Sequence, residues 1–84
     1  MMHSKMIETL NQSVRQFRLG MEGEASASLA SFIDLLLKGM TADRNFPLSA
    51  EDMPLLNEII GGQQRGDYLY VADILEYKLL PRLT

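Results

Sequence analysis

The residues that could do chemistry are concentrated near the C-terminal end of this 84-residue sequence. All three tyrosines lie between positions 68 and 77, and Asp73 and Glu76 lie just before the last of them. Two acids three residues apart are neighbours on a helix, where they would receive a cation or the arginine of a partner. The alternative is a solvated flank, or a bond from Asp73 to a neighbouring helix. Two acids are too few for a strong calcium site, so we predict no metal and no cofactor.

Elsewhere the sequence has few of the groups that catalysis uses. It contains no cysteine and a single histidine, His3, which we expect to pack rather than to bind a metal. Glycine-rich phosphate loops, the nucleophile elbow and the His-Glu-x-x-His pattern do not occur. We therefore predict a protein that is not an enzyme and that binds no small-molecule ligand.

Net charge and hydropathy restrict the partners further. The formal net charge is −3, which repels a phosphate backbone, so nucleic acid binding is not expected. No run of about 18 apolar residues occurs, so we expect no membrane span. The N-terminal residues do not follow the pattern of a secretory signal. A cytoplasmic location is the expectation.

The composition predicts a single all-α domain over residues 1–84. Fourteen Leu and six Met outnumber the seven Val and Ile, and Leu and Met favour helices whereas β-branched residues favour strands. Apolar residues recur every three or four positions in segments of helical length. Acidic residues stand near the starts of these segments and basic residues near their ends, as the helix dipole favours. The predicted helices span about 3–19, 23–38, 50–65 and 67–82.

Two glycine turns and one longer loop join these helices. Gly20 and Gly66 each join two helices, which predicts two αα-hairpins. The connection over 39–49 is predicted to be an ordered loop anchored by Phe46 and Leu48. Gly61 and Gly62 could end the third helix, but a continuous helix packed closely on a neighbour is favoured. The predicted architecture is a small four-helix bundle, up-down-up-down.

The fourth helix carries two apolar stripes. One is the expected core stripe, which consists of Tyr68, Val71, Ala72, Leu75 and Leu79. Tyr70, Ile74 and Tyr77 form a second stripe nearly opposite, at spacings of four and three. We predict an interaction surface at Tyr70, Ile74 and Tyr77, flanked by Asp73 and Glu76. The alternative is that this helix is surrounded by its neighbours, or that Phe46 and Leu48 cover the stripe.

One run of residues resembles a known group of proteins. Gly66-Asp67-Tyr68, then Ala72-Asp73-Ile74-Leu75-Glu76-Tyr77, then Leu80-Pro81, is similar to the C-terminal signature of small all-helical bacterial proteins of unknown function, mainly from Gram-positive organisms. The resemblance covers about the last 20 residues. It implies a compact helical fold and a bacterial, cytoplasmic setting, and it implies no catalytic residue.

The leading functional prediction is a non-enzymatic protein–protein interaction or regulatory module. Its partner would be another protein or a second copy of the chain, which would make a homodimer through the fourth helix. The alternative is a helical chaperone that binds an amphipathic helix of a secreted or flagellar client. That alternative requires an exposed groove lined by Met and Leu.

Overall fold

The computed structural model describes residues 3–84, and the helices in that range follow the predicted order. Met1 and Met2, the first two residues of the predicted domain, lie outside the described residues. The helices are α1 (Ser4–Arg18), α2 (Glu22–Ala42), α3 (Met53–Gln64), α4 (Tyr68–Asp73) and α5 (Leu80–Leu83). A 3₁₀ turn, Ala50–Asp52, precedes α3, and a π-helical segment, Ile74–Leu79, joins α4 to α5. We refer to residues 68–83 together as the C-terminal helix, so the fold is a small all-α bundle of four helices.

Two glycine turns of the same design form the predicted hairpins. Gly20 and Gly66 have φ of 75° and 74°, a left-handed conformation that is accessible to glycine without steric cost. After α1, the amide of Met21 donates to the carbonyl of Gln16 at 2.9 Å. After α3, the amide of Asp67 donates to the carbonyl of Gly62, also at 2.9 Å. Both turns are Schellman motifs, which satisfy the last carbonyls of the preceding helix.

The second helix is longer than its sequence predicted. The prediction ended it at residue 38 and began a loop at 39, but α2 continues to Ala42. Gly39 therefore lies inside the helix, and Phe46 from the following loop packs against it. A Cβ at Gly39 would lie 2.5 Å from Cε1 of the Phe46 ring, so only glycine allows this approach. Phe46 and Leu48 are both buried, which confirms that the loop is anchored to the bundle.

The third helix begins with a cap of the kind that a serine followed three residues later by an acid predicts, and its glycines do not break it. The amide of Ser49 donates to the Asp52 carboxylate at 3.0 Å, and the Ser49 hydroxyl accepts from the amide of Glu51 at 3.4 Å. These two bonds satisfy backbone groups that a helix start otherwise leaves free. α3 continues through both Gly61 and Gly62. Gly62 is buried, and a Cβ there would lie 2.9 Å from Cγ2 of Val71, which confirms the predicted close packing.

The C-terminal helix contains a widened turn. Its π-helical segment forms hydrogen bonds five residues apart and so has more residues per turn than an α-helix. Pro81 follows this segment, and proline cannot donate the i→i−4 bond of an α-helix. Side chains after Asp73 therefore lie at different angles from those that a uniform 100° per residue predicts.

Packing between the helices is uneven. α1 packs most extensively against α2 and next against the C-terminal helix, and α3 packs mainly against the C-terminal helix. The core is built from the predicted stripes, with Leu10, Phe17, Leu29, Phe32, Leu36, Ile59, Val71, Leu75 and Leu79 among its buried members. His3 packs its ring edge-on against Phe46, with centroids 4.9 Å apart, as predicted. None of the helices in residues 3–84 combines the length and apolar character needed to cross a bilayer.

Candidate functional site

The predicted stripe of Tyr70, Ile74 and Tyr77 does not form one exposed surface. Ile74 is only 2% exposed and belongs to the hydrophobic core, so its assignment to an interaction surface was wrong. Tyr70 is half-buried and packs against the core, and its hydroxyl donates to a carboxylate oxygen of Glu58 on α3. Only Tyr77, at 66% exposure, lies on the surface as predicted.

The position of the C-terminal helix in the bundle explains this difference. The helix lies between α1 and α3 and buries a broad arc, so the second stripe is partly enclosed, as the alternative interpretation held. Tyr70 and Val71 contact Glu58 and Gly62 of α3, and Ile74 follows one turn after Tyr70 on that side. Phe46 packs against Gly39 and His3, and both Phe46 and Leu48 belong to the same buried core as Ile74.

The widened turn separates Tyr77 from the other two residues. Tyr77 lies within the π-helical segment, where each residue advances by less than 100° around the axis. Its ring is therefore turned away from the side of Tyr70 and towards α1. There the guanidinium carbon of Arg18 lies 5.9 Å from the centroid of the Tyr77 ring, within the range of a cation–π contact.

Asp73 and Glu76 are brought together by an arginine from the other end of the chain. Nη2 of Arg18 lies 3.1 Å from Oδ1 of Asp73 and 3.0 Å from Oε1 of Glu76, and Nε donates to the same Glu76 oxygen at 3.3 Å. The sequence suggested a cation or a partner's arginine at this acid pair. The residue that fills it is this chain's own Arg18, the last residue of α1.

Hydrogen bonds to carboxylates shift the pKa values of Arg18 and Tyr70. The hydrogen bonds that Arg18 donates to Glu76, with a further contribution from Asp73, raise the pKa of Arg18 above its usual value. The pKa of Tyr70 is also raised, chiefly by its hydrogen bond to Glu58 and also by burial. In both cases the protonated form is stabilised.

Leu69 extends this surface along the helix. It lies one turn before Asp73 and is 61% exposed. We call the surface formed by Arg18, Leu69, Asp73, Glu76 and Tyr77 the Arg18 face. Sequence analysis missed Leu69 because it lies on neither stripe of the helical projection. It missed Arg18 because nothing local links residue 18 to residues 73 and 76.

A shallow depression adjoins the Arg18 face at the end of the bundle. The two glycine turns lie side by side there, so Gly20 and Gly66 line the same depression. Glu22 and Asp67 bring two more carboxylates to it, and Phe17 stacks on Tyr68 beneath, with ring centroids 5.5 Å apart. With Asp73 and Glu76, four carboxylates lie at this end of the molecule, where they outnumber Arg18 and Arg65.

Comparison with protein-family models, curated proteins and solved structures found no match to this chain.

Proposed function

We propose that this protein is a non-catalytic interaction module whose binding surface is the Arg18 face. The observation that carries the proposal is the pairing of exposed Tyr77 and Leu69 with an ordered charge cluster. Tyrosine and arginine are enriched among the residues that dominate binding energies. Because Arg18 is already held by Asp73 and Glu76, a partner would meet a preorganised surface and would lose little side-chain entropy there.

The charge of the surface indicates the chemistry of the partner. The face carries Asp73 and Glu76, and the adjoining depression adds Glu22 and Asp67. These four carboxylates outnumber Arg18 and Arg65, so this end of the molecule would attract a cationic segment. The exposed Tyr77 and Leu69 would contact apolar side chains of that segment. A lysine- or arginine-rich amphipathic helix fits both requirements. Two copies of the same acidic face would repel each other, so self-association through the C-terminal helix is the less favoured form of this proposal.

The chaperone alternative is supported less well. Of the methionines in the described residues, Met6 is buried and Met40 is half-buried. Met21 and Met53 are exposed, but Met21 adjoins the glycine turn at Gly20 whereas Met53 begins α3. α3 ends at the other glycine turn, so about 18 Å of helix separates Met53 from that end of the bundle. The exposed methionines therefore do not line a common groove.

The proposed setting is the bacterial cytoplasm. It is supported by the resemblance of the C-terminal run to small helical bacterial proteins.

Binding of a defined cationic peptide tests the proposal. The probe is a synthetic 18-residue amphipathic helix with leucine on one face and lysine on the other, and an otherwise identical peptide with glutamate for lysine is its control. We expect the lysine peptide to bind and to shift the backbone NMR resonances of residues 18, 69, 73, 76 and 77. The double variant Leu69→Ser/Tyr77→Ser should weaken binding by about tenfold or more.

A matched variant on another face makes the test specific. Leu37→Ser/Ile60→Ser removes two exposed apolar side chains from α2 and α3 and should leave peptide affinity unchanged. Equal binding of the lysine and glutamate peptides, or resonance shifts confined to other residues, would contradict the proposal. If light scattering shows self-association that only Leu69→Ser/Tyr77→Ser abolishes, the face binds a second copy instead.

A further inference from the structure

The two carboxylates of the Arg18 face are only partly engaged by Arg18. Nε and Nη2 of Arg18 donate to the same oxygen of Glu76, Oε1, and Nη2 also donates to Oδ1 of Asp73. A fully paired arginine and carboxylate form two parallel bonds, one to each oxygen. Here Oε2 of Glu76 and Oδ2 of Asp73 accept no hydrogen bond from the described residues. Each carboxylate therefore has one oxygen open to a further donor.

The charge of this acid pair is also not fully balanced. Two carboxylates against one guanidinium leave one negative charge over. Both carboxylates can be reached from solvent, since the side chain of Asp73 is 56% exposed and that of Glu76 is 37% exposed. One further cationic side chain would neutralise the pair, whereas a row of cations would not be matched here. The acid pair therefore fits a single lysine or arginine of a partner.

Exposed apolar side chains lie on both sides of the acid pair along the C-terminal helix. Leu69 lies four residues before Asp73, and Tyr77 lies four residues after it. Their exposed fractions are 61% and 66%. Arg18 borders the same depression as Leu69 and contacts the ring of Tyr77, so both apolar side chains adjoin the charge cluster. The surface is thus apolar, acidic and apolar again within about 12 Å.

The π-helical segment carries two of these residues, Glu76 and Tyr77. Such segments are rare, and where they occur within α-helices they are frequently found at functional sites. In this helix the irregular turn coincides with the part that meets Arg18. Its position supports a binding role for this stretch, independently of the charges.

We propose that the Arg18 face recognises a partner helix that carries one cationic side chain between two apolar side chains on the same face. This inference rests on the proposed function and specifies the segment that the surface binds. The cation would accept its place by donating to the open oxygens of Asp73 and Glu76, while the apolar side chains would contact Leu69 and Tyr77. Because two helices packed side by side have the same rise per residue, the matching positions are i, i+4 and i+7 or i+8.

Two helical peptides of identical composition test this spacing. Both have 18 residues of alanine and glutamine with two leucines seven residues apart and a single lysine. In the first peptide the lysine lies four residues after the first leucine, on the leucine face. In the second it lies two residues after that leucine, about 200° around the axis and so on the opposite face. NMR titration of the wild type should show at least fivefold tighter binding of the first peptide, or about 1 kcal/mol.

Two double variants separate the proposed contact from the effect of net charge. Asp73→Asn/Glu76→Gln should abolish the preference for the first peptide. Glu22→Gln/Asp67→Asn removes the same charge from the adjoining depression and should keep the preference. Circular dichroism should show the wild-type helix content in both variants.

The outcomes distinguish this inference from the proposed function. Equal binding of the two peptides, with resonance shifts on the Arg18 face, would overturn the spacing and leave the proposed function standing. An equal loss of preference in both double variants would show that net charge alone selects the peptide, and would also overturn the spacing. If neither these peptides nor the leucine–lysine helix described above binds to the Arg18 face, both proposals fail.

Discussion

α3 contacts its two neighbouring helices in different ways. Against the C-terminal helix it packs closely, with Gly62 against Val71 and Glu58 bonded to Tyr70. Against α2 it hardly approaches, and the hydrogen bond between Gln63 and Ser26 is the side-chain bond that joins them. α3 is thus held by its hairpin partner, and the opposite side keeps apolar residues exposed. The comparison shows that α3 shares one hydrophobic core with α2 but packs its backbone closely only against the C-terminal helix.

The prediction with the largest expected effect on stability tests which residues of the second stripe are buried. Ile74→Ala should lower the free energy of unfolding by about 2–5 kcal/mol, because it leaves a cavity beside α3. Tyr77→Ala should change it by about 0.5 kcal/mol or less, because that side chain is exposed. Urea unfolding of both variants measures the difference. Equal losses would show that Ile74 and Tyr77 share one environment.

Adjacent glycines of α3 test the close contact with the C-terminal helix. Gly62→Ala should destabilise the protein by about 1–3 kcal/mol, because its Cβ would meet Cγ2 of the stiff Val71 side chain. Gly61→Ala should stabilise it by up to about 1 kcal/mol, because alanine favours helices and its nearest neighbour is the flexible end of Arg65. Thermal unfolding should therefore shift in opposite directions. Stabilisation by Gly62→Ala would mean that this contact is looser than described.

The exposed ion pairs of Arg18 and Lys38 should contribute less to stability than the packed residues do. Arg18→Gln removes two ion pairs to a neighbouring helix and should cost up to about 1 kcal/mol at low salt. Lys38→Gln removes one pair within α2 and should cost about 0.3–0.5 kcal/mol. Both losses should shrink in about 1 M salt, where exposed charges are screened. A larger loss from Lys38→Gln than from Arg18→Gln would contradict the ordered state of the Arg18 face.

The smallest expected effect is a loss of folding stability at alkaline pH that arises at Tyr70. Its pKa is raised above the usual 10.0, so the folded state favours the neutral phenol. This contribution to stability is present below about pH 10 and is lost as the pH rises through the folded-state pKa. Tyr70→Phe should therefore lose less stability than the wild type between pH 10 and 12. Urea unfolding of both proteins at a series of pH values measures this difference.

Local sequence determined the helices, their turns and the start of α3. Gly20 and Gly66 end helices because their left-handed φ is accessible to glycine, and Ser49 with Asp52 caps a helix by bonds within four residues. Such features depend on near neighbours in the chain, so the sequence was sufficient to predict them. The end of α2 was predicted wrongly, because Gly39 is kept helical by the Phe46 ring, which packs on it from the following loop.

The tertiary structure decided which side chains lie on the surface. Helical periodicity predicts the angle at which a side chain leaves the helix axis. It does not predict how many other helices surround that helix. Ile74 is buried because α3 lies on one side of the C-terminal helix, and Tyr77 turns towards Arg18 because the helix widens into a π-helical segment. The pairing of Arg18 with Asp73 and Glu76 joins residues more than 50 positions apart, and only the packing of α1 on the C-terminal helix brings them together.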